Sequence, residues 1–99
     1  MKSDIIVLIP KGENSRITSA ELSRLTNITG SKIRQIVNDS RANFIPIGSD
    51  SYGYFVAEKP EELDHTIAQI NSRIHKMLQA REGIKKAQRL MKEANNEQL

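Results

Sequence analysis

The chain of 99 residues contains no cysteine, no tryptophan and only four other aromatic residues. Without cysteine it forms neither a disulfide bond nor a thiolate metal site. His65 and His75 are ten residues apart, which does not match the three- or four-residue spacing that places two ligands on one helix face. The aromatic residues all lie within residues 44–55, so the core must be mainly aliphatic. We expect no bound metal and no cofactor.

Long apolar runs and catalytic motifs are also lacking. The run Ile5–Ile9 ends at Pro10, whereas a membrane-spanning helix needs about 20 residues. The run has neither the basic start nor the cleavage site of a signal peptide. The chain has no glycine-rich phosphate loop, nucleophile elbow or metalloprotease motif. Glu61 and Glu62 stand at a helix start, where helix capping explains them better than acid–base catalysis does. We expect a cytoplasmic protein that is not an enzyme.

The chain does contain an excess of positive charge, with a net charge of +3 and an isoelectric point of about 9.4. A basic protein is suited to a polyanion partner, but many basic proteins bind none. Residues 1–57 hold seven basic and five acidic residues, a net charge of only +2. Charge alone therefore leaves the partner open.

The order of hydrophobic and turn residues predicts an α+β protein that is mostly helical. Residues 1–59 are predicted to form one domain, residues 60–92 a long helix for packing or dimerisation, and residues 93–99 a flexible tail. The run Ile5–Ile9 fits a short helix, although its β-branched residues fit a strand equally well. Arg16-Ile17 fits a very short strand.

Two helical patterns joined by a turn follow. Thr18 and Glu21 have the spacing of a capping box, and the inward face of the first helix is predicted to be Ala20, Leu22 and Leu25. Asn27 and Ile28 turn the chain. The second helix begins near residues 29–31. Its inward row is predicted to be Ile33, Ile36, Val37 and Ser40. Asn43 is predicted to end the helix in a left-handed conformation.

A hairpin comes next, with strands at Ile45-Pro46-Ile47 and Tyr54-Phe55-Val56. Pro46 has no N–H to donate, which confines its strand to an edge. Gly53 supplies the permissive backbone of the loop.

The second helix has a hydrophilic side suited to reading DNA. At 100° per residue this side consists of Ser31, Gln35, Asn38 and Ala42, flanked by Lys32, Asp39, Arg34 and Arg41. Gln and Asn pair with adenine, Arg and Lys bind guanine or phosphate, and Ala contacts the thymine methyl. A helix of this size beside a hairpin is typical of major-groove binding. The alternative is an ordinary solvated face.

Three residues outside that helix are candidates for contact with the DNA backbone. Tyr52, at the hairpin tip, can bond a phosphate or stack on a sugar, and it can equally pack on its own hairpin. Lys11 and Arg16 can add phosphate contacts, although simple solvation is the favoured explanation for both.

The long C-terminal pattern carries an apolar row with heptad spacing. Its members are Leu63, Ile67, Ile70, Ile74 and Met77, and the frame continues through Arg81, Ile84, Gln88 and Met91. The row either packs on the chain's own first helix or forms a homodimer. We favour the first for residues 63–70 and the second for residues 74–91, with Ile74, Met77 and Ile84 as dimer contacts.

Charge is unevenly distributed along the same segment. Residues 58–64 hold one basic and four acidic residues, a net charge of −3, and residues 73–92 hold seven basic and one acidic residue, a net charge of +6. Acids at the start and bases at the end match the helix dipole. The basic excess is larger than the dipole requires, so a phosphate or an acidic protein is a candidate partner, while a solvated face is the more common outcome.

Three motifs, E-L-x-x-x-T, I-R-x-I and P-I-x-S-D-x-x-G-Y, occur in that order between Glu21 and Tyr54. Through them the chain resembles, over residues 4–78, the small winged helix-turn-helix DNA-binding proteins of bacteriophages and prophages. The resemblance implies a helix, a strand, two helices and two strands joined by a wing, followed by a further helix. It also implies a role in regulation of transcription or replication, in the cytoplasm of the host cell.

The resemblance carries over Lys32, Arg34, Gln35, Asn38 and Arg41 as positions of the reading helix, and Ser49–Gly53 as the wing. Two features depart from the family pattern. Ser40 stands where leucine is usual, and Ala42-Asn43-Phe44 replaces a charged turn that ends in glycine. A hydroxyl that faces the core needs a hydrogen-bond partner, so we expect the end of this helix to differ.

Our leading hypothesis is a non-catalytic protein that binds duplex DNA as a homodimer. Its DNA contacts are predicted to be Ser31, Lys32, Arg34, Gln35, Asn38, Arg41 and Tyr52. The alternative, favoured by the low net charge of residues 1–57, is a protein-interaction module that inhibits or recruits a host nuclease or replication factor.

Overall fold

A computed structural model describes the backbone of residues 2–97 and the side chains of residues 5–96. The described chain is α+β and mostly helical. Its elements are α1 (Lys2–Leu8), α2 (Ser19–Thr26), α3 (Gly30–Ala42), β1 (Ile47–Asp50), β2 (Gly53–Val56), a 3-10 helix (Pro60–Leu63) and α4 (Asp64–Glu97). The chain divides into a first unit that ends at Ile67 and a second unit that begins at Ala68.

An aliphatic core holds the first unit together. Its buried members come from α1 and its end, α2, α3 and β1, and they are Ile5, Ile9, Leu22, Ile33, Ile36, Val37 and Ile47. Complete burial of such a side chain stabilises the fold by about 1.5–3 kcal/mol. The apolar run that begins at Ile5 is helical through Leu8, so the helical interpretation of this β-branched segment is confirmed and the strand alternative is wrong.

The inward face predicted for α2 is correct only at Leu22. Leu25 is half exposed and Ala20 is exposed. Ala20 precedes Leu22 by two residues, a rotation of about 200°, so the two side chains lie on nearly opposite sides of the helix. The capping box is half formed. The Thr18 hydroxyl accepts from the Glu21 N–H at 3.0 Å, whereas the Glu21 carboxylate accepts from Arg24.

Three residues join α2 to α3, and side chains satisfy the backbone there. Asn27 adopts a left-handed conformation with φ of 59°, which Asn tolerates better than most residues. Its N–H donates to the Ser23 carbonyl at 2.8 Å. The Thr29 hydroxyl caps α3 by accepting from the Lys32 N–H at 3.3 Å. Ile28 is partly buried against the core, so the turn is anchored as well as capped.

The left-handed residue after α3 is Phe44, with φ of 69°, and not Asn43, with φ of −100°. The N–H groups of Phe44 and Ile45 donate to the carbonyls of Arg41 and Ser40, both at 3.0 Å. This is the pattern of a Schellman motif, which places the residue after the cap in the left-handed region. Because α3 extends to Ala42, that residue is Phe44, and the prediction for Asn43 is wrong.

The described residues contain two strands, whereas the sequence resemblance implies three. β1 and β2 pair antiparallel from Ile47↔Val56 to Asp50↔Gly53. The strand predicted at Arg16-Ile17 is reduced to a single bridge, in which the Ile17 and Tyr54 backbones exchange hydrogen bonds of 2.9 and 2.8 Å. Directly after Ile17, the Thr18 side chain caps α2, so the chain turns into the helix there.

The polar contacts of Thr66 attach the first turns of α4 to β1. The buried Thr66 hydroxyl accepts from the Ser49 N–H at 2.9 Å and lies 3.3 Å from the Ser49 carbonyl, to which it can donate. The α4 helix ends at Glu97, later than the predicted residue 92, so it includes most of the predicted tail. Residues 98 and 99 of that tail lie outside the described residues.

Gly48 provides the space for the only buried aromatic ring among the described side chains. Gly48 is paired with Phe55 across the sheet, and a Cβ atom placed on Gly48 would overlap that ring. The backbone of β1 is therefore in direct contact with the aromatic face, and any larger residue displaces it.

We expect Gly48→Ala to lower the free energy of unfolding by about 1–3 kcal/mol, because the Phe55 ring must shift. Urea denaturation followed by circular dichroism measures the change. Gly83→Ala is the matched control, because a Cβ atom placed on Gly83 meets nothing within 4 Å. It should raise the free energy of unfolding by about 1 kcal/mol, since alanine favours a helix over glycine by that amount. Equal stability of Gly48→Ala and the natural chain would contradict this packing.

Candidate nucleic-acid interface

The hydrophilic side of α3 is open to solvent. Five of the residues predicted to contact DNA are exposed there, namely Ser31, Lys32, Arg34, Gln35 and Asn38. The opposite side is buried to 3% exposure or less at Ile33, Ile36 and Val37. The hydroxyl of Ser40, which needs a partner in the core, donates to the Ile36 carbonyl at 2.8 Å. The inward row of α3 is therefore confirmed, and its polar residues are accessible to a partner.

Arg41 differs from the other five residues because it holds the hairpin. Its Nε donates to the Ile47 carbonyl at 2.8 Å and its Nη2 donates to the Ser49 hydroxyl at 3.1 Å. These bonds fix the last turn of α3 against β1. The geometry gives Arg41 a positioning function in the fold.

A cluster of three side chains organises the tip of the hairpin. The Asp50 carboxylate accepts from the Tyr52 N–H at 2.8 Å and from Arg16 Nε at 2.5 Å. The Arg16 guanidinium also lies 5.5 Å from the centre of the Tyr52 ring, a cation–π distance. Arg16 is thus engaged within the protein, whereas Tyr52 remains 71% exposed. Of the two predicted backbone contacts at this tip, Tyr52 is the more accessible.

The pKa of the Asp50 carboxyl is lowered. Partial burial acts to raise the pKa, but the hydrogen bonds from the Tyr52 N–H and from Arg16, together with the charge of Arg16, outweigh it. Asp50 is therefore held as an anion that orders the loop, and its negative charge is balanced by Arg16.

Lys11 lies in an acidic part of the surface. A cavity of about 390 Å³ in this region is lined by two lysines and four glutamates, namely Lys11, Lys59, Glu13, Glu58, Glu61 and Glu62. Their combined charge repels phosphate, so this surface is a poor extension of the α3 face.

In the second unit, the residues predicted to form a dimer are accessible. Ile74, Met77 and Ile84 are 52%, 74% and 71% exposed. All described side chains from residue 71 to residue 96 are exposed. Large apolar side chains thus stand in solvent along the helix.

The part of the chain that the structure describes shows no helix with the length and apolarity needed to cross a membrane. Within the same residues, no three of the His, Asp and Glu side chains come together as a metal site would require.

Comparisons of the chain with models of protein families, with curated proteins and with solved structures give no match. The resemblance to phage winged-helix proteins thus stays a prediction, and the function must be argued from the residues themselves.

For two residues that are prominent in the structure, Thr66 and Phe44, the sequence predicted no function. Thr66 carries no periodic or motif signal, since its importance comes from the strand that it meets. Phe44 had a signal, because it is an aromatic residue at the end of a polar helix, and it proves to be 95% exposed.

We expect Asp50→Asn to destabilise the fold by about 1 kcal/mol near pH 7, because the bond from Arg16 loses its charged acceptor. Since the folded pKa of Asp50 is lowered, its stabilising contribution is present above the unfolded pKa of about 3.9. It is lost as the pH falls through the folded pKa. The difference between variant and natural chain should therefore shrink toward pH 2.

Chemical denaturation at several pH values measures this difference. Glu93→Gln removes the same charge from the exposed part of α4 and controls for net charge. A difference for Asp50→Asn that stays constant from pH 7 to pH 2 would contradict the assigned ion pair.

Proposed function

We propose that the first unit is a winged helix-turn-helix domain that binds duplex DNA. Support comes from the three-residue link between α2 and α3, with its left-handed Asn27. Helix-turn-helix motifs use a link of this length. In this proposal α3 enters the major groove and the loop between β1 and β2 is the wing.

The observation that carries the proposal is the open hydrophilic face of α3. Lys32 and Arg34 supply two positive charges there, while Gln35 and Asn38 supply amides that can pair with adenine. All four side chains are exposed, and the buried row on the opposite side fixes their direction. A base-reading helix requires this combination of a fixed orientation and accessible polar groups.

The remaining residues have supporting functions in the proposal. Ser31 lies in the first turn of α3, where it can meet a phosphate. Tyr52 contacts the sugar–phosphate backbone from the wing. Arg41 acts indirectly, by holding β1 against the end of α3. The protein acts without catalysis, as a factor in transcription or replication in the host cell.

We expect Lys32→Ala and Arg34→Ala each to weaken DNA binding about tenfold and to reduce the salt slope of log K by about 1, because each removes a phosphate or guanine contact. Gln35→Ala and Asn38→Ala should mainly relax sequence preference. Fluorescence anisotropy with labelled duplexes selected from a random pool, measured from about 50 to 200 mM salt, tests both expectations.

Lys59→Ala is the matched control, since Lys59 lies in the acidic group around Glu61 and Glu62. It should leave affinity and salt slope nearly unchanged. No binding at micromolar protein, or equal effects of Lys59→Ala and Lys32→Ala, would count against the proposal.

One observation favours a second candidate function, a protein-interaction module. Phe44 exposes nearly all of its ring and holds a left-handed backbone that usually belongs to glycine. This conformation costs about 1–2 kcal/mol for a residue with a Cβ, and no packing offsets it. An exposed aromatic side chain is a common anchor in protein interfaces.

Phe44→Gly separates the two functions. We expect it to raise the free energy of unfolding by about 1 kcal/mol, because the left-handed strain is relieved. For a protein-interaction module, capture of a host protein from nuclease-treated lysate should be lost in this variant and kept in Lys32→Ala. The second candidate would be excluded if Phe44→Gly captured the same host protein as the natural chain and Lys32→Ala lost DNA binding.

A further inference from the structure

The apolar row of α4 continues for about seven helical turns beyond the first unit's last residue, Ile67. Its heptad frame from Ile67 to Met91 contains two polar residues, Arg81 and Gln88. The other six are apolar, namely Ile67, Ile70, Ile74, Met77, Ile84 and Met91. Among these, Ile74, Met77, Ile84 and Met91 are between 52% and 74% exposed. A helix with this row in solvent lacks the burial that normally stabilises long helices.

The two polar residues of the row decide how a second helix can pack on it. In a parallel pair, equal residues meet, so each Arg81 would face the partner's Arg81 and each Gln88 the partner's Gln88. Two guanidinium groups in one seam repel each other. In an antiparallel pair, unlike positions meet, and each polar residue can face an apolar one.

We propose that α4 binds α4 of a second copy of this chain in an antiparallel orientation, with Ile67 level with the partner's Met91. This register pairs Ile74 with the partner's Ile84 and Met77 with the partner's Arg81. The Arg81 guanidinium forms an ion pair with Glu82 at 3.3 Å. Its aliphatic stem can cover Met77 of the partner subunit while the charge stays at the edge of the seam.

The distribution of charge favours the antiparallel over the parallel orientation. The acidic segment 58–64 and the basic segment 73–92 lie at opposite ends of this part of the chain. In this register the basic residues 86–92 lie opposite the uncharged residues 66–72 of the partner subunit, with Asp64 about one half-turn from Lys92 of the partner subunit. Parallel pairing instead aligns the two basic segments along their whole length. Near the centre, Leu78, which is 44% exposed, lies on the same side of the seam as the partner's Leu78, about 3 Å from level with it along the axis.

The first experiment measures self-association of the full chain without DNA, by sedimentation equilibrium. We expect a dimer, and Ile74→Glu should raise its dissociation constant at least about tenfold, because it buries a carboxylate in the seam. Gln79→Glu adds the same charge on the outer face of the frame and should leave the dimer intact. A monomer at about 100 μM would overturn the proposal, as would equal effects of the two variants.

The second experiment determines orientation and uses the absence of native cysteine. A spin label on Glu93→Cys should give a distance of about 40–45 Å in the antiparallel register, since the two labels are separated by about 28 helical steps of about 1.5 Å. Leu78→Cys should form a disulfide between subunits under mild oxidation. A label distance of about 20–25 Å without that disulfide would show a parallel pair and overturn the proposal.

Neither experiment depends on the function proposed for the first unit. A chain that dimerises without binding DNA leaves this inference standing, and a monomer that binds DNA overturns this inference alone.

Discussion

Burial of one side of α3 is the constraint on which the rest of the first unit depends. Ile33, Ile36 and Val37 are nearly inaccessible, and each contributes about 1.5–3 kcal/mol by leaving water. Because side chains advance by about 100° per residue, fixing this side also fixes the direction of the polar side. The orientation of Lys32 and Arg34 is therefore a consequence of aliphatic packing and requires no polar contact of its own.

The small sheet depends on polar anchors. An isolated two-stranded hairpin is at best marginally stable in water, and this one is held from three directions. Arg41 bonds it from the end of α3, Thr66 from the start of α4, and Arg16 from the loop before α2. These bonds hold the hairpin in a fixed position against α3. The hairpin tip and the polar side of α3 therefore keep a constant distance and orientation.

The sequence predicted the parts of the structure that follow from local periodicity. The row of α3 was predictable because its period is unbroken over the two turns from Ile33 to Ser40. Ala20 was misplaced because α2 is short and its period was read from too few residues. The left-handed conformation of Phe44 could not be predicted, because it depends on the exact residue at which α3 ends. The partners of Arg41 and Thr66 could not be predicted, since strand and side chain meet only after the chain has folded.

The continuous α4 helix acts as a molecular ruler if two copies pair through it. In the register with Ile67 beside the partner's Met91, the two Ile67 residues are about 36 Å apart along the axis, close to one turn of B-DNA. Adding a whole heptad would lengthen this span and preserve the side on which the helices meet. Adding two residues would turn one end by about 200°. In such a pair, the number of residues in α4 would set both the distance and the angle between the two Ile67 ends.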